Sequence, residues 1–294
     1  MTSIEWTASD DGAEGSVWNP TTGCDRTSAG CDHCYALTMA KRLKGMGQAK
    51  YQRDGDPRTS GPGFGLTVHP DAVNLPLHWR KPRRIFVNSM SDLFHAEVPT
   101  PWLADIFAVM AAAPRHTFQV LTKRHARMRS LLNDPAFQDQ VRERAEGKGM
   151  DPADWQWPLP SVWLGVSAED QHWAAIRIPA LLDTPAAVRF VSAEPLLGPI
   201  ELPTGDLRAG RMPSAPAWLI IGGESGPGAR PMELGWARDL LAQCRCLGVA
   251  PFVKQLGAVL GRELNAGSKG NHLDAWPEDL KVREFPRTAE AVPA

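Results

Sequence analysis

Six segments share a pattern in which a short apolar or β-branched run ends in polar residues and precedes a stretch with helical periodicity. These runs are residues 84–92, 116–124, 161–169, 188–194, 218–225 and 251–255. Apolar residues at helical spacing predict helices over residues 101–113, 123–132, 174–182 and 236–247. Nearly continuous apolar strands that alternate with helices are typical of a parallel sheet buried on both faces.

Val17 and Trp18 add a first strand, so that about six to seven parallel strands are predicted. This number predicts an α/β fold of the TIM type, a partial or complete (β/α) barrel, whose active site lies at the carboxyl ends of the strands. An open doubly wound sheet is the alternative and would place its site at the same ends. The chain has no Gly-x-Gly-x-x-Gly after the first strand and no Walker loop, which argues against a dinucleotide or P-loop fold.

The barrel domain is predicted over residues 1–260, with an insertion near 133–160 that contains a charged helix and is a candidate lid. Residues 261–294 form a predicted C-terminal extension, partly disordered from residue 286 onward. No apolar run approaches the ~20 residues that cross a bilayer. The N-terminus has no basic or apolar signal region, so a cytoplasmic protein without a membrane partner is expected.

The charge is unevenly distributed, although the formal net charge is only −1. Residues 41–84 carry ten Lys and Arg against three acids, and residues 115–129 carry five basic residues and no acid. Basic stretches of this kind are typical both of phosphate-binding surfaces and of solvated helix faces. The composition therefore leaves DNA or RNA open as a partner.

Three of the five cysteines, Cys24, Cys31 and Cys34, lie within eleven residues of one another. The Cys-x2-Cys pair lets two thiolates bind one metal or cluster, and Gly23 and Gly30 give the loop freedom to fold back. Crowded cysteines in a reducing compartment favour metal or redox use over disulfides. Three ligands leave one position of a four-coordinate metal open, as in sites that perform chemistry.

A zinc site is the alternative for this loop. His33 would complete a tetrahedral set with the three cysteines. Such a site would make the protein a metal-binding nucleic-acid module without catalysis.

The cysteine loop and the strand ends together resemble the radical S-adenosylmethionine (SAM) superfamily, and within it a phage-associated family of uncharacterised proteins with a Cys-x6-Cys-x2-Cys loop. The shared segments are residues 4–7 (IEWT), 18–24 (WNPTTGC), 30–36 (GCDHCYA), 86–94 (FVNSMSDLF), 118–124 (FQVLTKR), 163–167 (WLGVS), 189–197 (RFVSAEPLL) and 221–231 (IGGESGPGARP). The usual superfamily spacing is Cys-x3-Cys-x2-Cys, so the present loop is three residues longer between its first two cysteines.

The resemblance implies that Cys24, Cys31 and Cys34 hold a four-iron four-sulfur cluster whose fourth iron binds SAM. A one-electron donor such as a flavodoxin or ferredoxin would reduce the cluster, and SAM would be cleaved to methionine and a 5′-deoxyadenosyl radical that abstracts hydrogen from substrate. The expected substrate is a nucleic acid or nucleotide, acted on by a repair lyase or a base-modifying enzyme. A peptide or small molecule is the alternative substrate.

The resemblance also places cofactor and substrate contacts at the strand ends. The expected cofactor contacts are His33, Tyr35, Asn88, Ser89, Asp92, Thr122, Lys123, Ser167, Glu169, Ser192, Glu194, Gly222, Gly223 and Glu224; the substrate candidates are Arg124, Lys254 and Gln255. Asp92 suits the SAM amino group and Lys123 its carboxylate. The competing interpretation is that Ser, Asp and Glu after strands cap helices or favour helix starts.

A protein hydrogen donor is a further possibility for this chemistry. Cys244, Cys246 and Tyr35 are its candidates, and the sequence does not choose among them.

Overall fold

The computed structural model describes residues 4–7, 15–203 and 215–287. Its strands are β1 (Ser16–Trp18), β2 (Thr21–Thr22), β3 (Thr67–Val68), β4 (Arg84–Val87), β5 (Thr117–Thr122), β6 (Val162–Ser167), β7 (Val188–Ala193), β8 (Trp218–Gly222) and β9 (Ala250–Gln255). Its helices are α1 (Tyr35–Gly45), α2 (Pro70–Val73), α3 (Leu75–His78), α4 (Thr100–Ala112), α5 (His125–Leu132), α6 (Pro135–Glu146), α7 (Gln171–Leu182), α8 (Leu234–Leu247) and α9 (Gly257–Glu263).

Every predicted strand and helix is present, with shifts at the ends that have local causes. The helix predicted from residue 123 begins at His125, because the backbone N–H of Lys123 donates to Asp92 and that of Arg124 donates to Thr122. The helix predicted from residue 174 begins earlier, at Gln171, where the Asp170 carboxylate caps it. No helix in the described part of the chain is long and apolar enough to span a bilayer.

The strands β1, β4, β5, β6, β7, β8 and β9 follow one another in that order in one seven-stranded sheet. The pairs β1–β4, β4–β5, β7–β8 and β8–β9 are parallel. All residues of β6 and β8 are buried, as the apolar pattern predicts. A doubly wound sheet would reverse its strand order, so this sequential order confirms the α/β prediction and agrees with a partial (β/α) barrel.

The chain divides into two compact units, and the division falls inside β6. Unit 1 comprises Met1–Leu164 and Thr184–Ala187, and unit 2 comprises Gly165–Asp183 and Val188–Ala294. The predicted domain boundary near residue 260 therefore lies within unit 2.

The charged helix predicted in the 133–160 insertion is α6, and it packs on α4 in unit 1. Its apolar residues Phe137, Val141 and Ala145 are buried, and Phe137 lies 5.9 Å, ring centre to ring centre, from Phe107 of α4. The candidate lid is thus a helix whose apolar side is already used in the core.

The C-terminal extension contributes to the core of unit 2 as far as residue 287. Trp276 and Leu280 are buried, and Arg283 forms an antiparallel bridge with Phe252 of the edge strand β9. The Trp218 indole N–H donates to the Glu284 carbonyl at 2.8 Å. The rest of the predicted disordered end, residues 288–294, lies outside the described residues.

Candidate metal and cofactor site

Gly23 fixes the start of the cysteine loop in unit 1. Its φ is +92°, and a Cβ at this position would lie 2.4 Å from the carbonyl oxygen of Gly65. The Gly23 N–H donates to the Met90 carbonyl at 2.9 Å. Only glycine satisfies both the dihedral and the close approach, so Cys24 is held between the segment around residue 65 and the loop after β4.

Cys24 and Cys34 lie in apolar surroundings. Both pack against the small cluster formed by Ala36, Ala40, Phe64 and Met90. Burial raises the pKa of the Cys24 thiol far above its usual range, and the charge of Asp92 raises it further. Burial also raises the pKa of Cys34. Without a metal, both groups therefore favour the neutral thiol.

Cys31 has the opposite electrostatic character. Burial acts to raise its pKa, but the Lys123 ammonium and hydrogen bonds from Thr27 and Ser28 outweigh burial and lower it. The hydroxyls of Thr27 and Ser28 lie 3.8 and 3.9 Å from its sulfur. Cys31 is thus the cysteine of the loop that is best prepared to be a thiolate.

The three thiols lie within electrostatic range of one another, since Cys31 and Cys34 each raise the pKa of Cys24. Within the described ranges, no three His, Cys, Asp or Glu side chains are close enough to form a ready metal-binding group. The three cysteines are therefore not gathered into a ready site in the described residues, either by themselves or together with the exposed His33. A soft three-thiol donor set fits iron–sulfur or zinc chemistry, and metal binding would have to deprotonate Cys24 and Cys34 while drawing the loop together.

Asp92 joins the ends of β4 and β5. One carboxylate oxygen accepts from the Thr122 hydroxyl at 2.6 Å and from the Phe94 N–H at 3.0 Å. The other accepts from the Lys123 N–H at 2.9 Å. Its carboxylate therefore already accepts three hydrogen bonds within the protein, and the contact of Asp92 with the SAM amino group stays a prediction.

Asn88 is a buried residue of this region whose side-chain amide makes no hydrogen bond to the described residues. It follows β4 with φ +61°, a left-handed conformation, and is only 3% exposed. Neither its amide nitrogen nor its amide oxygen has a hydrogen-bond partner among the described residues. A buried amide with both groups unsatisfied is rare and calls for a ligand or water.

Ser89 and Tyr35 hold the loop after β4 in place. The Tyr35 hydroxyl donates to the Ser89 carbonyl at 2.5 Å, and the Ser89 hydroxyl contacts the Asn19 side chain at 3.2–3.3 Å. Asn19 also accepts from the Met90 N–H. These two predicted cofactor contacts thus already bind protein groups.

Asp25 and His95 are site residues that the sequence did not suggest. Asp25 Oδ2 lies 2.9 Å from His95 Nε2, and its Oδ1 accepts from the Thr59 hydroxyl at 2.6 Å. The Arg124 side chain donates to the Asp25 backbone carbonyl at 3.1 Å. Asp25 directly follows Cys24, and this position is the one signal that could have identified it.

A cavity of about 250 Å³ adjoins Cys24 in unit 1. Its charged lining residues are Asp25, Arg53, Asp54, Asp56 and Glu97. Carboxylates therefore outnumber cations in the wall, although Asp54 is paired with Lys44 and Asp56 with Arg58. A polar wall of this charge favours a cationic ligand over a phosphate.

In unit 2, each of the three predicted glutamates has its own cation. Glu169 is fully buried and accepts from Arg177 at 2.9 Å. Glu194 pairs with Lys254 at 2.7 Å, and Glu224 pairs with Arg230 at 2.6 Å. The Glu169 carboxylate thus lies inside the protein against a guanidinium, and its contact with a ligand stays a prediction.

Gly223 is required by packing within unit 2. A Cβ at this position would lie 2.3 Å from the carbonyl oxygen of Leu256. The Gln255 side chain donates to the Gly223 carbonyl at 2.9 Å. A Cβ on Gly222 would lie 3.3 Å from the Glu194 side chain. At Gly223, the space that a side chain would take is thus occupied by the backbone of Leu256.

The remaining predicted polar residues and cysteines differ in exposure. Ser167 and Ser192 are buried in β6 and β7. Cys244 is buried, and burial raises its pKa to about 12, whereas Cys246 is exposed. Cys244 is therefore an inert core thiol, as the helical context suggests.

Several side chains of the two basic stretches bind protein groups. Arg83 and Arg84 lie at the amino end of β4, whereas the cysteine loop contacts the loop after its carboxyl end. Arg115 and Arg127 donate to backbone carbonyls. Arg83 and Arg84 therefore do not belong to a basic surface around the cysteine loop.

A model of the family described as "Protein of unknown function (DUF5131)" matches residues 1–279 of the chain. No curated protein and no solved structure is similar enough to the chain to count as a match.

Proposed function

We propose that this chain, which belongs to the DUF5131 family of proteins of unknown function, is a radical SAM enzyme. Cys24, Cys31 and Cys34 would hold a four-iron four-sulfur cluster, and SAM would bind at the iron without a protein ligand. When bound, this pair supplies one-electron cleavage of the SAM sulfonium and abstraction of a hydrogen atom from a substrate.

The observation that carries the proposal is the open amide of Asn88 beside the three-cysteine loop. The loop after β4 bonds to Gly23 through Met90, and Gly23 directly precedes Cys24. SAM has an amino group and a carboxylate, which can satisfy an amide oxygen and an amide nitrogen together. The strained φ and the lost hydrogen bonds of Asn88 are expected at a residue that functions by binding a ligand.

The neighbouring charges support an anionic cluster. Lys123 favours the thiolate of Cys31, and Asp92 holds the backbone of Lys123 at the end of β5. The carboxylates in the wall of the adjoining cavity suit the positive sulfonium and ammonium groups of SAM. Cations beside the cysteines and carboxylates beside the cavity thus match the two partners of the proposed chemistry.

A nucleic acid or nucleotide remains the proposed substrate class, in a repair or base-modifying reaction. Arg83 and Arg84 lie at the opposite end of β4 from the cysteine loop, which leaves fewer cations there for the phosphates of a long duplex, so a nucleotide or a single exposed base fits this site better. The reduced protein is incubated with SAM and with nucleotides, single strands or duplexes. We expect a modified base, detected by mass spectrometry, with nucleotides and single strands and none with duplexes.

The proposal is tested by anaerobic reconstitution with iron and sulfide, followed by electron paramagnetic resonance of the reduced protein with and without SAM. We expect about four iron and four sulfide per chain and a signal that shifts when SAM is added. The Cys31→Ala variant should lose the signal, while Cys246→Ala, which changes an exposed cysteine outside the loop, should keep it. A cluster whose electron paramagnetic resonance signal is the same with and without SAM would refute the proposal.

A further inference from the structure

We infer that Asn19 is a positioning residue that holds the Asn88 amide in the orientation needed to bind SAM. The inference rests on the proposed function, because Asn88 is the group proposed to contact SAM. Asn19 acts through residues 88–91 (the Asn88 loop), to which its own side-chain amide is hydrogen-bonded.

The backbone of Asn19 is fixed on both sides. Trp18 is the last residue of β1 and pairs with Val87 of β4. The Trp18 carbonyl also accepts from the Asn88 N–H at 2.8 Å. Pro20 follows Asn19, and a proline restricts the residue before it to extended conformations. The half-buried Asn19 is therefore held beside the start of the Asn88 loop.

The Asn19 side chain bonds to two successive residues of the Asn88 loop. Its amide oxygen accepts from the Met90 N–H at 3.2 Å and lies 3.3 Å from the Ser89 hydroxyl. Its amide nitrogen lies 3.2 Å from the same hydroxyl. Both polar groups of the Asn19 amide are thus directed at the residues that follow Asn88.

Asn88 needs this support because its backbone is left-handed. A φ of +61° is unfavourable for a residue with a side chain, although asparagine tolerates it better than most. The Asn88 side chain makes no hydrogen bond to the described residues that could hold the loop in this conformation. A change in the backbone of Asn88 would reorient the peptides of Ser89 and Met90 and break their contacts with Asn19. These contacts therefore maintain the conformation that presents the Asn88 amide.

The other contacts of the Asn88 loop do not replace Asn19. The Gly23 N–H donates to the Met90 carbonyl, and the Ser91 hydroxyl donates to the Thr21 carbonyl, so both hold the part of the loop farther from Asn88. The Tyr35 hydroxyl binds the Ser89 carbonyl from a side chain that is 55% exposed, where water competes for the same bond.

The first measurement is hydrogen–deuterium exchange of the full-length metal-free protein, which needs no SAM. In Asn19→Ala the Met90 amide loses its acceptor, so its exchange should speed up about tenfold. Asn19→Asp keeps an oxygen acceptor at the same place and should keep the protection. Unchanged exchange of Met90 in Asn19→Ala would overturn the inference.

The second measurement is equilibrium dialysis of SAM with the full-length reconstituted protein. Loss of a positioning hydrogen bond in Asn19→Ala should lower SAM affinity about fivefold, with the iron and sulfide content unchanged. Asn133→Ala is the matched control, because the Asn133 side chain also donates to a backbone carbonyl in unit 1, that of Arg129, at 2.9 Å. This control should bind SAM as wild type does.

A double variant separates positioning from direct contact. If Asn19 acts through Asn88, adding Asn19→Ala to Asn88→Gly should lower SAM affinity no further than Asn88→Gly alone. A further loss of about fivefold in the double variant would mean that Asn19 acts independently of Asn88 and would overturn the inference. Ser89→Ala removes only the hydroxyl partner of Asn19 and should also lower SAM affinity, so the inference stays testable if Asn19→Ala folds poorly.

The possible failures are distinguishable. Faster exchange of Met90 in Asn19→Ala with full SAM affinity would make Asn19 a purely structural residue, which overturns the inference and leaves the radical SAM proposal standing. A fall in iron content in Asn19→Ala would place its effect on the cluster instead of on Asn88 and would also overturn the inference. A wild-type protein that assembles no cluster or binds no SAM would overturn both proposals.

Discussion

Asn88 combines two costs that proteins normally avoid, a left-handed backbone and an unsatisfied buried amide. The hydrogen bonds around it concern its neighbours Ser89, Met90 and Ser91, so the loop is held without help from the Asn88 side chain. The buried Asn88 amide makes no hydrogen bond to the described residues, so a ligand at the candidate cofactor site would satisfy groups that the fold leaves without partners.

The Asn88→Gly variant should separate binding from stability. Glycine accepts φ +61° without strain and removes two unsatisfied groups, so the free energy of unfolding should stay within about 1 kcal/mol of wild type. SAM affinity, measured by equilibrium dialysis of the reconstituted protein, should fall roughly tenfold, which corresponds to about 1.4 kcal/mol.

Asn265 supplies a matched control, because it is the other non-glycine residue with positive φ in the described chain, at +54°. Asn265→Gly should leave SAM affinity unchanged. A large loss of stability in Asn88→Gly with full SAM affinity would instead make Asn88 a structural residue.

The metal-free protein should show an order of thiol reactivity. The lowered pKa of Cys31 gives it more thiolate at neutral pH, while burial keeps Cys24 and Cys34 protonated. Iodoacetamide should therefore label Cys31 before Cys24 and Cys34, and its rate should rise with pH at a lower midpoint than that of an ordinary thiol. Peptide mass spectrometry after timed labelling measures this order.

The Lys123→Met variant tests the cause of that order. Removing the ammonium should move the Cys31 midpoint to higher pH, because less positive charge stabilises the thiolate. Labelling of Cys24 ahead of Cys31 would contradict the electrostatics described for the loop.

At the level of elements, the apolar runs were sufficient to predict the strands of the large sheet, since a buried parallel strand is apolar along its length. Their order in the sheet was left open between a barrel and a doubly wound sheet, and the structure decides it. The polar residues at the strand ends were identified, but their partners were not. Asp92 binds Thr122, thirty positions away, and Glu194 binds Lys254, sixty positions away. Only the fold brings such residues together, which is why the sequence assigned these groups to a ligand.

Asp92→Asn should weaken the junction between β4 and β5. The amide has one acceptor where the carboxylate has two, so one of the three donors loses its partner, and a charged acceptor becomes neutral. We expect a loss of about 2 kcal/mol in the free energy of unfolding, measured by urea denaturation. Thr122→Val, which removes one donor to Asp92, should cost less. Equal stability of Asp92→Asn and wild type would mean that the junction does not depend on this charge.

At the level of the whole molecule, the candidate chemistry gathers in unit 1, while the predicted glutamates of unit 2 are tied into ion pairs. The C-terminal segment was predicted as an appendage because it lacks strand periodicity. Its buried anchors Trp276 and Leu280 are too widely spaced to form a pattern, and their partners in β9 are apparent only in three dimensions.

Removal of one partner of the buried Glu169–Arg177 pair should strongly destabilise unit 2. Arg177→Met leaves the Glu169 carboxylate buried without its cation, so we expect a loss of about 3–5 kcal/mol in the free energy of unfolding. The double variant Glu169→Gln/Arg177→Met should recover part of this loss, because no charge stays buried. The losses in the free energy of unfolding are measured by thermal or urea unfolding. A double variant whose loss equals the sum of the losses of the two single variants would contradict the pairing.

Radical SAM chemistry is tested most directly by assay of 5′-deoxyadenosine after anaerobic reconstitution and reduction in the presence of SAM. We expect a brown protein that forms 5′-deoxyadenosine, loss of this activity in Cys31→Ala, and full activity in Cys246→Ala. A colourless protein that holds one zinc ion and leaves SAM intact would contradict it.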